Sequence, residues 1–568
     1  MAPLFFRAWF FCSAVGLIPA GAIAQTRPDA GVLQQEFERG RVPALPKGGA
    51  PERPLAPAAM KPLTGTTITV KAFRFSGNTL LSSEQLAPVV AKFRERSLDF
   101  TELQQVTVAV AEAYRAAGWI VRVYFPQQEI QNNIVTLQII EAVFGEVRFE
   151  GQTQGRTAPE HLSRWVGSAQ AKGGLLNAEV LDRALLLADD LPGIAVVGRF
   201  AEGRNDKETD LVLNFSDTPL FNGEVSADNE GARAIGVGRL TGNLYLNNPL
   251  GLGEQLNASL IHAQGTDYGR IALNLPAGNF GYAGWRVGAN ASYFSYRLIA
   301  PEFSALDAHG TYSSLGLEAS YPLIRSGLKN LYLGLNYDTK RFDNQSGGAI
   351  SSRYQIDSYS VGLNANLFDS FGGGGANSAS LALVYGNVDL EGSPNQAADA
   401  ITTQTAGRLY TLRYSLSRQQ VLTDALSLHA VLSGQAATRN LDSAEKFYLG
   451  GARSVRAYPV SEGGGDEGLL VNLELRARLP QNFTLSALYD WGQVADKHNN
   501  DFSGAQTLNA YSLQGVGVSM GWISSFGINL KATWARRIGD NPNPTATGSD
   551  QDGSLTRDRL WFTTSMSF

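Results

Sequence analysis

The residue types that usually carry catalysis are present in this chain but are not grouped for it. The five histidines, His161, His262, His309, His429 and His498, are scattered through 568 residues without metal-ligand spacing. The one cysteine, Cys12, stands in an apolar run near the N-terminus and cannot form an internal disulfide. No G-x-S-x-G elbow, phosphate loop or dinucleotide fingerprint stands on the elements it needs. The acids of Asp228-Asn229-Glu230 lie at the first of a long series of strands. These spacings predict no catalytic residue, no metal and no cofactor. A different chemistry is visible: charges on the inner face of a wall. Phe483, Leu485, Ala487, Tyr489 and Trp491 alternate, which turns Asp490 the other way. Val471, Leu473 and Leu475 alternate in the same manner and turn Asn472, Glu474 and Arg476 inward.

The element that must position these charges is a strand, repeated many times. From about residue 218 to 568 helical periodicity disappears and two-sided segments of about ten residues recur. Leu331, Leu333, Leu335 and Tyr337 point one way, and Tyr332, Gly334, Asn336, Asp338 and Lys340 the other. Phe526, Ile528, Leu530, Ala532 and Trp534 alternate likewise with Gly527, Asn529, Lys531, Thr533 and Ala535. A soluble sandwich would need a second sheet for each apolar face. An outer-membrane barrel meets lipid there and keeps its polar face in a wet lumen. About sixteen segments can be placed, an even number, with the last ending in the aromatic Phe568. Connections are expected to alternate between short and long, NNPLGLG (247–253) and LPQN (479–482) being short turns. Charged residues make up 17%, against about 25% in ordinary soluble domains. The balance of 47 basic and 52 acidic residues argues against nucleic acid as a partner.

Four segments precede the wall. Residues 1–24 read as a signal peptide, with Arg7, an apolar run too short to span a bilayer, and the small-residue site Ala22-Ile23-Ala24. Residues 25–42 contain a short helix, Val32, Leu33 and Phe37 on one face and Glu36, Glu38 and Arg39 elsewhere. Residues 43–65 are Pro-rich and form an extended tether of about 60–70 Å reach. Residues 66–141 and 142–217 read as two related α/β units. The first has a strand through Ile68, Val70, Ala72 and Phe73, a turn at Gly77-Asn78, and a helix carrying Leu103, Val106, Val110 and Tyr114. The second has a helix starting near Asn177 and stopping at Pro192-Gly193.

Four stretches together carry a family resemblance. They are FRFSGNTLL with YRAAGWIVRVYFPQQ (114–128), RALLLADDLPGIAV (183–196), SADNEG (226–231) with NNPLGLGEQL (247–256), and GGARSVRAYPVSEGGGDEGLLVNLELR (450–476). In this order they resemble the outer-membrane transporters of two-partner secretion, the haemolysin secretion/activation or TpsB family. The resemblance implies two periplasmic POTRA domains before a sixteen-stranded antiparallel transmembrane β-barrel. It implies a helix that plugs the lumen and leaves during transport. It also implies a long loop folded back into the barrel, its tip carrying a Val-Arg-Gly-Tyr motif whose Arg pairs with a wall Asp. The matching residues here are Val455, Arg456, Ala457 and Tyr458, with Asp490, Glu474 and Arg476 as lumen partners. Ala457 replaces the motif's Gly, so a tip backbone that only Gly tolerates would be altered. The function implied is capture of an unfolded exoprotein, of adhesin, haemolysin or contact-dependent toxin type, at POTRA strand edges and its delivery to the cell surface. Outer-membrane lipid is the surrounding partner, and a closed barrel suits a monomer. The competing readings are a barrel-assembly insertase and a passive porin.

Overall fold

The computed structural model describes residues 27–38, 67–151, 155–205 and 207–568. The expected signal peptide and Pro-rich tether lie outside the described residues. No described helix is long and apolar enough to cross a membrane, so crossing falls to strands.

The two small units share one topology. In the first, strand Ala72–Ser76 runs parallel to Ile134–Glu141, which pairs antiparallel with Val121–Tyr124. In the second, Val143–Phe149 runs parallel to Glu208–Asp217, which pairs antiparallel with Ile194–Glu202. Two helices pack on each sheet: α2 (Ser83–Val90) and α3 (Phe100–Ala116), then α4 (Pro159–Ala169) and α5 (Ala178–Asp189), with α1 (Ala30–Glu38) preceding all four. Local chemistry explains their starts. Asp99 and Glu102 form a capping box on α3, and Asn177 caps α5 through Val180 N–H. Leu103, Val106, Val110 and Tyr114 form the buried face of α3. One expectation is corrected. The run Ile68 to Phe73 is two strands, because Lys71 and Ala72 N–H both turn to the Asn133 carbonyl and Ile68–Val70 pairs instead with Arg96–Leu98.

From Phe221 to Ser567 sixteen strands close into one antiparallel barrel. The outward rows are leucine-rich; Leu315 and Leu317 are 63% and 60% exposed while Tyr312 beside them is 1%. Strand lengths are uneven. Lys329–Ser346 and Ala349–Asp369 have 18 and 21 residues, about twice the 9–11 that a bilayer needs, so they project as a hairpin. Its tip is the tight Gly347-Gly348 turn, with φ of 59° and 76°. The expected alternation of short and long connections is therefore not strict. Where paired strands rise beyond the membrane, a two-residue turn replaces a long loop.

The second unit is docked on the short-turn end of the wall. Asp190 accepts from Arg325 Nε at 2.7 Å and Nη2 at 2.8 Å, and the Arg325 side chain is fully buried. Arg156 donates to the carbonyls of Gly193 (3.0 Å) and Asn247 (3.2 Å). Trp165 meets Tyr282 edge-on at 5.4 Å. The long loops lie at the opposite, outer end of the wall.

Candidate functional site: an inward loop and a lumen helix

Residues 438–466 leave the wall after strand Leu426–Ala437 and return at strand Glu467–Arg478. Between them the chain folds into the barrel. A short ladder pairs Phe447–Tyr448 with Gly464–Gly465. Two positions need glycine: Gly451 at φ 121° and Gly463 at φ 64°. The tip is dry. Leu449, Val455 and Ala457 are fully buried and Tyr458 is 1% exposed, packed with Leu470, Val494, Leu513 and Ala535 of the wall.

Arg456 is held from several directions. Its Nε and Nη2 donate to the two Asp490 oxygens at 2.8 and 2.6 Å, and its backbone N–H donates to Asp490 Oδ2 at 3.1 Å. Nη1 reaches Glu474, which also accepts from Arg476 Nε at 2.7 Å. Asn472 Nδ2 donates to both Asp490 (2.7 Å) and the Ser454 carbonyl (2.8 Å). The planar guanidinium matches this bidentate geometry, which an ammonium would not. Trp561 was not singled out from the sequence, yet its Nε1 donates to the Arg456 carbonyl at 2.8 Å. Alternation in Leu560-Trp561-Phe562 was the available signal, since Leu560 and Phe562 are exposed.

Ala457 corrects the concern about its backbone. It is absent from the left-handed residues, and its Cβ faces Gly515, where an added Cβ would lie 2.6 Å away. A missing side chain on the wall therefore accommodates the alanine. The tip is also tied to the last outer loop. The Arg537 guanidinium lies 4.7 Å from the Tyr458 ring and pairs with Asp550, and Glu462 accepts from Asn541 and from Gln551 N–H, both at 2.8 Å.

Helix α1 lies inside the lumen against this loop. Asp29 caps it through Val32 N–H (2.9 Å) and accepts from Ser443 Oγ (2.9 Å). Ala30 N–H donates to Asn344 Oδ1 at 2.9 Å, and Gln35 reaches the Ala444 carbonyl. The face predicted for this helix is revised. Ala30, Leu33, Gln34 and Phe37 are buried while Val32 is only half-buried. Glu36, expected on a polar face, pairs at 3.1 Å with Arg239. Arg239 also binds Asp228 (2.9 Å) and Glu230 (3.5 Å), so the acids at the end of the first barrel strand serve a charge cluster. Glu445 of the loop bridges Lys340 (2.8 Å) and Arg413 (2.6 Å) on the wall. A cavity of about 860 Å³ remains between helix, loop and wall. Among the described residues no three His, Cys, Asp or Glu groups are placed to hold a metal. The arrangement does electrostatic and packing work: it holds two segments in the bore.

Comparison with known proteins agrees with this architecture. Residues 68–142 match the ShlB-type POTRA domain, and residues 207–522 match the family described as haemolysin secretion/activation protein ShlB/FhaC/HecB. The heme/hemopexin transporter protein HuxB of Haemophilus influenzae is 24% identical over 550 residues, covering 93% of this chain and 95% of its own. The outer membrane transporter CdiB of Dickeya dadantii is 25% identical over 474 residues, 81% and 82% of the two chains. Among solved structures, CdiB from Escherichia coli superposes with a TM-score of 0.67 at 20% identity, covering 91% and 92%. BamA from Haemophilus ducreyi lacking POTRA domains 1–3 gives 0.52 at 16% identity, covering 89% and 100%. At these identities the structural likenesses speak for the fold, which the BamA barrel shares. The family match, which spans more than half the chain and includes the inward loop, is what separates them: the chain belongs to the haemolysin secretion/activation family, the outer-membrane transporters of two-partner secretion, with its POTRA domains in the periplasm.

Proposed function

We propose that this transporter is a plugged conduit, in which α1 closes the lumen at rest and the Arg456 network holds the inward loop while an exoprotein passes. The observation that carries this reading is the double occupancy of the bore. Two segments distant in sequence are held there by buried apolar contacts together with side-chain hydrogen bonds and ion pairs that can reform. Such contacts suit parts that move more than parts of a permanent core. The value of Arg456 is positional, since pairing buried charges costs desolvation.

Capture takes place at the POTRA sheets. Strand Val121–Tyr124 lies at the edge of its sheet, and an unfolded chain adds there as a further strand through its backbone. The partner is a secreted exoprotein of adhesin, haemolysin or contact-dependent toxin type. The relatives named for heme/hemopexin transport and as CdiB outer membrane transporters support an exoprotein partner. The closed barrel hides its strand edges and works as a monomer in outer-membrane lipid. Residues 1–24 act as the export signal and 43–65 as the leash of α1. Folding of the cargo outside supplies the driving force. The test is a comparison of surface proteins in a deletion strain and its complemented parent. One large exoprotein is expected to be retained in the periplasm of the deletion strain. An unchanged set of surface exoproteins refutes the reading.

A further inference from the structure

The lumen of a wet barrel is expected to be polar, but one row of this lumen is aromatic. Cross-strand pairing joins Tyr268 to Phe294, Phe294 to Tyr312, Tyr312 to Phe342, and Phe342 to Tyr354. Five adjacent strands thus each place one ring at one level, toward the outer mouth. Phe294 and Tyr312 stack at 5.0 Å, and Phe342 and Tyr354 at 4.7 Å and 13°. All five rings are at most 6% exposed. The next level toward the periplasm is mainly polar, with Arg270, Ser292, Ser314 and Lys340 in register. Toward the periplasm the row is thus bounded by polar residues except at Ile356, and toward the mouth it joins buried Ile235, Leu298 and Phe303 of the outer loops.

Helix α1 covers part of it. Phe37 sits 5.3 Å from Tyr268 and 5.4 Å from Phe294, and Leu33 joins the same cluster. The row is wider than the helix. Five strands about 4.8 Å apart span about 19 Å, whereas nine helical residues extend about 13.5 Å. Loop residues Leu441 and Ala444 join the same cluster. If α1 leaves, the rings it covers, Tyr268 and Phe294, face the bore, while Tyr354 at the far end of the row keeps its hydrogen bond to loop residue Asp442 at 3.0 Å. Beside them Asn344 Oδ1, which accepts a backbone N–H from Ala30, and the Ala444 carbonyl, which accepts the Gln35 amide, lose those donors. A departing plug thus uncovers an apolar track flanked by acceptors for peptide-type N–H groups.

We infer that this aromatic row is a binding track for the polypeptide in transit, taking its apolar and β-branched side chains, and that α1 occupies the track at rest. The inference rests on the conduit reading above and adds where in the bore the cargo is held. A five-ring face gains more from leucine, valine or phenylalanine than from serine or glycine, whatever the order of residues. A track of this kind is tolerant of sequence and selective for extended, apolar-bearing chain.

The test uses the full-length chain in planar bilayers. Asp29→Ala with Glu36→Ala removes polar contacts of α1 without touching the row, and opens the channel more often. Two probe peptides are added from the periplasmic side, one of alternating Val and Thr, the other of Ser and Gly. The Val–Thr peptide is expected to block the current with the longer dwell. Adding Phe294→Ser and Phe342→Ser, with barrel folding checked by heat-modifiable migration, shortens that dwell about tenfold and leaves the Ser–Gly dwell unchanged. Equal dwell for the two peptides, or a Val–Thr dwell indifferent to the ring variants, overturns the track while leaving the conduit intact. A channel that passes no current in the Asp29→Ala/Glu36→Ala background removes the conduit reading and the track with it.

Discussion

Truncating Arg456 to alanine tests the anchor at its strongest point. The substitution removes two hydrogen bonds to Asp490 and one to Glu474. It leaves the Asp490 side chain, which is 0% exposed, with only Asn472 and one backbone N–H, while Glu474 at 13% retains Arg476. Removing one partner of a buried pair costs about 3–5 kcal/mol. The lower end applies in a water-bearing lumen, and about 3 kcal/mol moves the docked-to-released ratio of the loop by about two powers of ten. A Val455→Cys reporter reads that ratio. Val455 is fully buried when the tip is docked, so a bulky maleimide reacts only with the released loop, in proportion to its population. Labelling is expected to run about 100-fold faster in Arg456→Ala than in the reporter parent. Adding Asp490→Ala slows it again, because no bare carboxylate then remains under the docked tip. Equal labelling of parent and Arg456→Ala, or a double variant that labels faster than the single one, refutes the anchor.

Three further outcomes follow from other contacts. Gly515→Ala places a Cβ 2.6 Å from that of Ala457 and releases the tip at a cost of about 1–3 kcal/mol; Ala457→Gly restores docking in the same labelling assay. Asp190→Ala removes the carboxylate partner of the buried Arg325 and loosens the second POTRA domain by about 3 kcal/mol, seen as faster hydrogen exchange where that domain meets the barrel. In the first POTRA domain, burial raises the Glu141 pKa but donors at Thr79 (2.7 Å) and Leu80 (2.8 Å) outweigh it, so the folded value lies below the ordinary 4.5. Its stabilisation is therefore complete above about pH 4.5 and is lost as pH falls through the folded value. Denaturant unfolding of this domain is expected to weaken over that acid range, and Glu141→Gln flattens the dependence while costing about 1–3 kcal/mol at neutral pH.

Most of the wall was legible because period-two alternation is a local property. Leu485 and Tyr489 point out, and Asp490 between its apolar neighbours points in, without knowledge of any partner. The same logic reaches Trp561. The lumen contacts of α1 were not legible in this way. Ala30 meets Asn344 across 314 positions, and Glu36 meets Arg239 across 203, and nothing in a nine-residue helix says which side of a barrel it will touch. Helical spacing puts Val32 on the face of Leu33 and Phe37 and Glu36 off it, and cannot show that Glu36 meets a wall arginine. Ala457 is a related case. Its tolerance depends on Gly515, a wall glycine with nothing local to distinguish it from the other glycines of the strands. The length of the projecting hairpin was hidden too, because alternation continues unchanged where strands leave the bilayer.

A reversible lock on the helix tests the central claim most directly. Gln35 of α1 reaches the Ala444 carbonyl of the inward loop, and the only native cysteine, Cys12, lies in the expected signal segment. A Gln35→Cys/Ala444→Cys pair is bridged by a short bis-thiosulfonate cross-linker, which spans the gap that the Gln35 side chain spans and is cleaved by reductant. Surface delivery of the exoprotein identified in the deletion strain is then measured with and without reductant. The conduit account predicts delivery that stops in the cross-linked cells and resumes on reduction, with each single-cysteine variant unaffected by the same reagent. Undiminished delivery through a fully cross-linked protein contradicts it.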